Sequence, residues 1–142
     1  MAFFNSKIST FELDETGGTQ RDISVDINEI SGLPGPRNLS EVTALPDTGT
    51  KWIPGLEIVQ ITVAGLFSDT TGAGGDALLG VLRTASAAVD FEYGPEGNSA
   101  GDMMYTGTCW VTDYQLTSRV GDTVAWRATL QVDGVVTRAA HA

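Results

Sequence analysis

Residues 122–133 read DTVAWRATLQVD, and this stretch decides the fold class of the chain. Apolar side chains occupy every second position, namely Val124, Trp126, Ala128, Leu130 and Val132. The positions between them are mostly polar. Alternation with a period of two is typical of a strand that has one face on a core and one face in water. We therefore predict a half-buried β-strand here.

The segments before this stretch predict further strands. Residues 104–116 can form the partner arm of a hairpin, with the turn at residues 120–122. Strand patterns also occur at residues 8–13, 22–28, 56–67 and 88–93, and residues 22–28 alternate strictly. Six or seven strands joined mostly by hairpins predict antiparallel sheets.

One helix is predicted at residues 77–85, with Asp76 as its N-cap. The preceding Gly72-x-Gly74-x-x-Ala77 matches a dinucleotide-binding fingerprint, and Asp90 lies at a suitable distance beyond it. However, Asp76 would place a carboxylate where a pyrophosphate has to bind. A single helix also cannot build a doubly wound sheet. We interpret the motif as a glycine loop that leads into a capped helix.

Composition argues against most catalytic and nucleic-acid-binding classes. The 142 residues include 18 acidic and 8 basic groups, for a formal charge of −10, which repels phosphate backbones. The chain has one cysteine, Cys109, and one histidine, His141, near the end of the chain where residues often fray. We expect no catalytic, cofactor-binding or metal-binding residues and no cofactor. The chain is therefore predicted not to be an enzyme.

Carboxylates leave one alternative open. The many Asp and Glu residues could pair for glycoside chemistry or bind calcium. No concentrated ligand set such as Asp-x-Asp-x-Asp is present, and such runs are usually exposed faces. We favour a solvated or pore-lining surface.

Residues 31–55 form a long apolar loop. They contain four of the five prolines and four glycines, which prevent a helix or a long strand. They also contain large apolar side chains, including Trp52, so disorder fits poorly. An exposed segment of this kind requires a partner surface.

The chain resembles the major tail tube proteins of long-tailed bacteriophages, within a superfamily that includes the tubes of contractile injection systems. The resemblance covers nearly the whole chain. It rests on the order of VTALPDTG (42–49), IPGL (53–56), DALLGVLR (76–83), FEYGPEG (91–97) and the hairpin from YTG (105–107) through RVGD (119–122) to QVDG (131–134).

The resemblance implies a mainly β fold of two packed antiparallel sheets, a β-sandwich or partial barrel, with one flanking α-helix. It also implies hexameric rings that self-assemble by stacking into a hollow tube for DNA ejection. We expect a single domain over residues 1–142, with residues 31–55 as an inter-ring loop and residues 1–6 and 135–142 as flexible arms.

Two sets of residues follow as predicted sites. The ring-stacking set is Leu33, Leu39, Val42, Leu45, Asp47, Trp52 and Ile53. The set predicted to face the lumen is Asp22, Ser24, Asp26, Asn28, Gln60, Thr62, Thr129 and Gln131. Arg127 shares that polar strand face and is expected to pair with a carboxylate.

The expected partners are other copies of the chain, tail terminator and baseplate or tip proteins, and a tape-measure protein in the lumen before ejection. DNA would pass without specific binding, and no membrane contact is expected. Residues 1–6 lack the features of a signal peptide, so we expect assembly in the host cytoplasm and a final location in the virion tail. Alternatives are a tube protein of a bacterial contractile injection system and a monomeric virion or baseplate binding module.

Overall fold

The structure, a computed structural model, describes residues 6–15, 18, 20–67 and 75–141. Within these residues it has one helix, α1 (Gly75–Leu82), and 3-10 turns at Ser6–Ile8 and Ser24–Asp26. The strands are β1 (Thr10–Asp14), β2 (Gln20–Asp22), β3 (Ile27–Ser31), β4 (Leu39–Glu41), β5 (Trp52–Pro54), β6 (Gln60–Leu66), β7 (Val89–Gly94), β8 (Met103–Thr117) and β9 (Ala125–Ala140). In this part of the chain, no helix has the length and apolarity needed to span a bilayer.

Seven strands form one antiparallel sheet in the order β2-β1-β7-β8-β9-β6-β3. The other two, β4 and β5, form a small antiparallel sheet of their own. The predicted mainly β, antiparallel fold with one helix is confirmed. The second sheet is a two-stranded hairpin, so the core lies within the large sheet.

The large sheet is rolled up, and the chain connection between its edges shows why. Its edge strands β2 and β3 are separated by only four residues. Seven flat strands about 4.8 Å apart would place the edges roughly 29 Å from each other. Five Cα steps, from Asp22 to Ile27, reach at most about 18 Å. The sheet must therefore curl into a partial barrel, although no ladder among the described strands joins β2 to β3.

The connection between the edges is held to both sides of the opening. The Ile23 amide donates to the Phe11 carbonyl at 3.1 Å, and the Ser24 hydroxyl accepts from the Phe11 amide at 2.8 Å. On the other side, Ile27 pairs with Gly65, where an added Cβ would collide with the Asp26 carbonyl. Glycine at position 65 therefore permits the close approach that narrows the opening.

The core fills the inside of the rolled sheet. Trp126, Ala128, Leu130 and Val132 of β9 are buried there, which confirms the inward face predicted from the alternation. Leu78, Leu79 and Leu82 of α1 pack into the same cluster. The helix starts at Gly75, so Asp76 lies in its first turn rather than at the N-cap, and its carboxylate accepts a 2.6 Å hydrogen bond from the Tyr114 hydroxyl. The predicted Gly72-x-Gly74 loop lies outside the described residues.

Two predictions made from local pattern are wrong. Residues 22–28 are not one strand, because the 3-10 turn at Ser24–Asp26 separates β2 from β3. Residues 135–140 are not a flexible arm, because β9 continues through them and pairs with β8 as far as Met103 opposite Ala140. The predicted N-terminal arm lies outside the described residues apart from Ser6.

Candidate assembly surfaces

A hairpin stands away from the rolled sheet, and we call it the finger (residues 34–58). It contains β4 and β5, which pair through Leu39–Pro54, Ser40–Ile53 and Glu41–Trp52. Every residue of the finger is exposed except Asp47 and Gly55, which are half-buried. An isolated two-stranded hairpin is only marginally stable in water. The finger therefore has an exposed apolar surface that its own chain does not cover.

The base of the finger is fixed against β6. Leu33, just before the finger, packs on the core cluster. Gly35 has φ +95°, and an added Cβ would lie 2.7 Å from Cγ1 of Val59. Asn38 closes the hairpin, because its side-chain amide donates to the Leu56 carbonyl at 2.7 Å and its carbonyl accepts from the Gly55 amide at 2.8 Å. These contacts set the direction in which the finger leaves the body.

The tip of the finger is a clamped turn that presents Leu45. The Asp47 carboxylate accepts from the Ala44 amide at 2.7 Å and forms an ion pair with Lys51 at 2.9 Å. The hydrogen bond from the Ala44 amide is the main cause that holds the pKa of Asp47 below its usual value, and the Lys51 ammonium lowers this pKa further. The Asp47 amide also donates to the Ala44 carbonyl. Leu45, between these anchors, is fully exposed.

Two long strand segments lack a second neighbouring strand among the described residues. In β8, β7 covers only Tyr105–Cys109, so the same side of residues 110–117 has no paired strand there. In β9, β6 pairs only with Ala125–Gln131, which leaves Asp133 and residues 137–140 paired with β8 alone, on either side of a register shift. Unpaired backbone groups of this kind can accept a strand from another chain.

No known family model and no characterised protein matches the sequence, but solved structures match its fold. A chain in the virion of a native gene transfer agent particle aligns with a TM-score of 0.73 and 15% identity, over 96% of this chain and 99% of that one. The SPP1 tail tube aligns with a TM-score of 0.74 and 10% identity, over 98% and 80%. The sheath/tube terminator of the extracellular contractile injection system PVC aligns with a TM-score of 0.70 and 13% identity, over 98% of each chain.

This chain has the tail tube fold. At 10–15% identity the likeness establishes the fold alone. The finger and the unpaired segments of β8 and β9 are therefore surface features of a chain with this fold. The matched structures are chains of a virion, a tail tube and a tube terminator, and each aligns with nearly the whole of this chain.

Within the tail tube fold, the residues predicted for ring stacking have three different positions. Leu33 packs against the core of its own chain, and Asp47 clamps the tip. The remaining five are exposed apolar residues of the finger, namely Leu39, Val42, Leu45, Trp52 and Ile53. Sequence reasoning missed Leu56 and Ile58, which are 87% and 63% exposed. Their spacing carried the signal, because both fall on the side of the strand pattern opposite Val59 and Ile61.

The residues predicted to line the lumen separate into two groups. Gln60, Thr62, Thr129 and Gln131 lie together on the outer face of β6 and β9, where Gln60 pairs with Gln131 and Thr62 with Thr129. The side-chain amide of Gln60 also donates to the Gln131 side-chain carbonyl at 3.1 Å. Asp22, Ser24, Asp26 and Asn28 lie elsewhere, in β2, in the 3-10 turn and at the irregular start of β3.

A row of carboxylates crosses β2, β1 and β7, at the β2 edge of the large sheet. Glu12 lies opposite both Asp22 and Glu92. Burial is the main cause that raises the pKa of Glu12, and the negative charges of Glu92 and Asp22 raise it further. The Nε2 atom of His141 lies 3.0 Å from a Glu92 carboxylate oxygen, the His141 amide donates to the Asp102 carbonyl and the His141 carbonyl accepts from the Gly101 amide, so the expectation of a flexible arm is also wrong at residue 141. Among the described residues, no group of three or more His, Cys, Asp or Glu is arranged to bind a metal ion.

Cys109 has the character of a core residue. Its side chain is fully buried. Burial is the main cause that raises the pKa of its thiol to about 12, and the negative charge of Asp90 contributes less. A thiol in this state is almost entirely protonated at neutral pH and is a poor nucleophile.

Proposed function

We propose that this chain is the structural subunit of a phage tail tube, forming hexameric rings that stack into a hollow tube through which DNA is delivered to the host. The observation that carries the proposal is the end-to-end structural likeness to chains of tail tubes and virions. One such match, the tail of an empty gene transfer agent particle, has C6 symmetry, and it aligns over 96% of this chain.

The exposed surfaces support assembly into rings and stacks. The finger exposes apolar side chains that need covering, and β8 and β9 contain segments with a free strand edge. Covering an exposed edge with a strand from a neighbouring copy removes an aggregation hazard. We assign ring closure to the strand edges and ring stacking to the finger, including the residues predicted for stacking other than Leu33.

The lumen wall is assigned from polarity and charge. The outer face of β6 and β9 presents the amides and hydroxyls of Gln60, Thr62, Thr129 and Gln131, which could line the bore without binding phosphate. Asp22, Ser24, Asp26 and Asn28 remain proposed lumen residues. Six copies at −10 each would carry about −60 per ring, so DNA would find few cationic groups to adhere to. A tape-measure protein would fill the bore before ejection.

A second function fits the same fold. The anti-feeding prophage tube terminating cap and the PVC sheath/tube terminator also align over 98–99% of this chain. A tube or terminator subunit of a contractile injection system is therefore the main alternative. A terminator would form one ring at the end of a tube, whereas a tube subunit would stack indefinitely. A monomeric virion or baseplate module would do neither.

Electron microscopy of concentrated protein distinguishes these functions. We expect six-membered rings and stacked tubes from the intact chain. The control replaces residues 39–54 with Asn-Gly, because Asn38 and Gly55 already face each other across the base of the finger. We expect this variant to stay folded and form rings without tubes. Single rings from both proteins would favour a terminator, and monomers at every concentration would contradict the proposal.

A further inference from the structure

The rolled sheet leaves a cleft between β1 and β3, which we call the seam cleft. It has a volume of about 460 Å³. Ser9 and Phe11 line it from the β1 side, and Ile27, Glu29 and Ile30 line it from the β3 side. The seam cleft is therefore the place where the partial barrel stays open.

Both walls of the seam cleft are strand edges. On this side of β1, β2 pairs only with Glu12–Asp14, so among the described residues no paired strand lies beside Ser9 and Thr10. Within the same part of the chain, β3 pairs with β6 alone. A cleft between two such edges can accept one extended segment, because main-chain groups on each side can form hydrogen bonds with it.

The seam cleft is closed at one end and open at the other. At the closed end the chain crosses from β2 to β3, and the Ser24 hydroxyl accepts a hydrogen bond from the Phe11 amide. Every pairing from β1 through β7, β8, β9 and β6 to β3 is antiparallel, so β1 and β3 run in opposite directions. The start of β1 and the end of β3 therefore lie together at the open end. Lys7, just before β1, also lines the cleft.

The segment that precedes Ser6 has the composition and the length to enter the seam cleft from its open end. Residues 1–5 read MAFFN and lie outside the described residues. All of them except Asn5 are apolar. The walls from Ser9 to Phe11 and from Ile27 to Ile30 span about 7–10 Å at 3.3 Å per residue. Five extended residues reach up to about 17 Å, which is more than the cleft requires.

We propose that residues 1–5 occupy the seam cleft of their own chain as an extended segment antiparallel to β1. The segment then fills the gap between β1 and β3, and the 3-10 turn at Ser6–Ile8 reverses the chain between it and β1. This gives the predicted N-terminal arm a docking site. Docking within one chain avoids the entropy cost of association, which favours this occupant over the same segment of another copy.

The walls of the cleft match an aromatic side chain. Side chains of an extended segment alternate between two faces, so Phe3 and Phe4 point in opposite directions. One of the two therefore faces the inside of the sheet, where Ile27, Ile30 and Tyr93 pack on the core cluster. An aromatic side chain buries about 150–250 Å² and is the largest single contribution that the segment can make to docking.

Hydrogen exchange tests whether the β3 edge is covered. Phe3→Ser/Phe4→Ser removes both aromatic side chains, and Val42→Ser/Leu45→Ser makes the matched change in the finger. We expect amides of residues 27–31 to exchange at least tenfold faster in the first variant and at an unchanged rate in the second, because only the first exposes β3. Residues 125–131, which have a strand on each side, should keep their rate in both variants.

Two results of this experiment would overturn the proposal. An unchanged rate at residues 27–31 in Phe3→Ser/Phe4→Ser would show that the aromatic side chains do not cover β3. Equal acceleration at residues 27–31 and 125–131 would show a loss of stability in the whole sheet rather than an exposed edge. Neither result depends on polymerisation, so the proposed tube function would stand.

Cross-linking of mixed isotopes tests whether the occupant belongs to the same chain. Unlabelled and nitrogen-15-labelled Asn5→Cys/Glu29→Cys chains are mixed at high dilution and treated with a short bismaleimide. Cys109 can remain, because it is fully buried. Trypsin then releases the two linked segments for mass spectrometry. We expect each linked pair to carry a single isotope, and pairs that carry both isotopes would assign the cleft to another copy and overturn the proposal.

A matched control places the second cysteine at the far end of the sheet. Because β8 runs parallel to β1, Val120 beyond the end of β8 lies at the end opposite to Ser9. Val120 is also fully exposed, so a cysteine there is accessible to the reagent. Asn5→Cys/Val120→Cys should give at least tenfold less linked product than Asn5→Cys/Glu29→Cys. Equal yields from the two pairs would overturn the proposal.

Discussion

The finger and the rolled sheet are made of the same kinds of residue but meet opposite environments. The contrast is sharpest where they join. Leu56 and Ile58 are 87% and 63% exposed, whereas Val59, Ile61 and Val63 directly after them are almost completely buried. The buried residues have a core in their own chain, and the exposed ones have none. Apolar sequence alone therefore does not reveal whether its covering surface lies within the chain or on another molecule.

The largest expected effect is on the stability of the sheet. Phe91 is buried and stacks on Phe11 at 6.5 Å between ring centroids. Phe91→Ala should lower the free energy of unfolding by about 3–5 kcal/mol, because it leaves a core cavity. The matched change in the finger, Trp52→Ala, should alter it by less than about 0.5 kcal/mol. Urea unfolding of monomeric protein measures both, and equal losses would show that the finger belongs to the core.

The second effect is on assembly rather than folding. Leu45→Ser should leave the unfolding midpoint unchanged, because the side chain is fully exposed. Burial of a leucine contributes about 1.5–3 kcal/mol, so the concentration needed for polymerisation should rise about tenfold to a hundredfold. Sedimentation of polymer across a concentration series measures this. An unchanged threshold would remove Leu45 from the stacking contact.

The third effect locates the boundary between the two regions. Gly35 has φ +95° and would clash with Val59 if it carried a Cβ, whereas a Cβ at Gly49 would meet nothing within 4 Å. Gly35→Ala should cost about 1–2 kcal/mol, because it combines backbone strain with crowding. Gly49→Ala should be close to neutral. Thermal unfolding measures the midpoints of the two variants. Equal midpoints would show that the backbone at the base of the finger accommodates the added methyl group without loss of stability.

The smallest effect is electrostatic. Because the pKa of Glu12 is raised in the folded state, its ionisation opposes folding at pH values above the folded pKa. Glu12→Gln should therefore stabilise the protein at pH 7, and the gain should disappear as pH falls below about 4.5, where the unfolded carboxyl is also protonated. Glu57→Gln, on the exposed finger, is the control. A gain that persists at pH 3 would point to packing rather than charge.

The sequence identified the parts whose pattern depends only on neighbours in the chain. Alternation in β9 predicted Trp126, Ala128, Leu130 and Val132 as core residues, and they are. The prolines of residues 31–55 predicted the absence of a long strand, and β4 and β5 have three residues each. Five of the seven residues predicted for stacking are exposed apolar residues of the finger. These features follow from backbone periodicity and proline geometry.

Only the tertiary structure decided how distant segments meet. The strand predicted at residues 22–28 breaks at Ser24–Asp26, because the chain must cross between the two edges of a rolled sheet. Residues 135–140 are ordered as a strand because β8 lies beside them. Leu33 packs inward while Leu56 points outward, because only one of them reaches the core. Long-range pairing sets these outcomes, and no short window of sequence contains the partner that determines them.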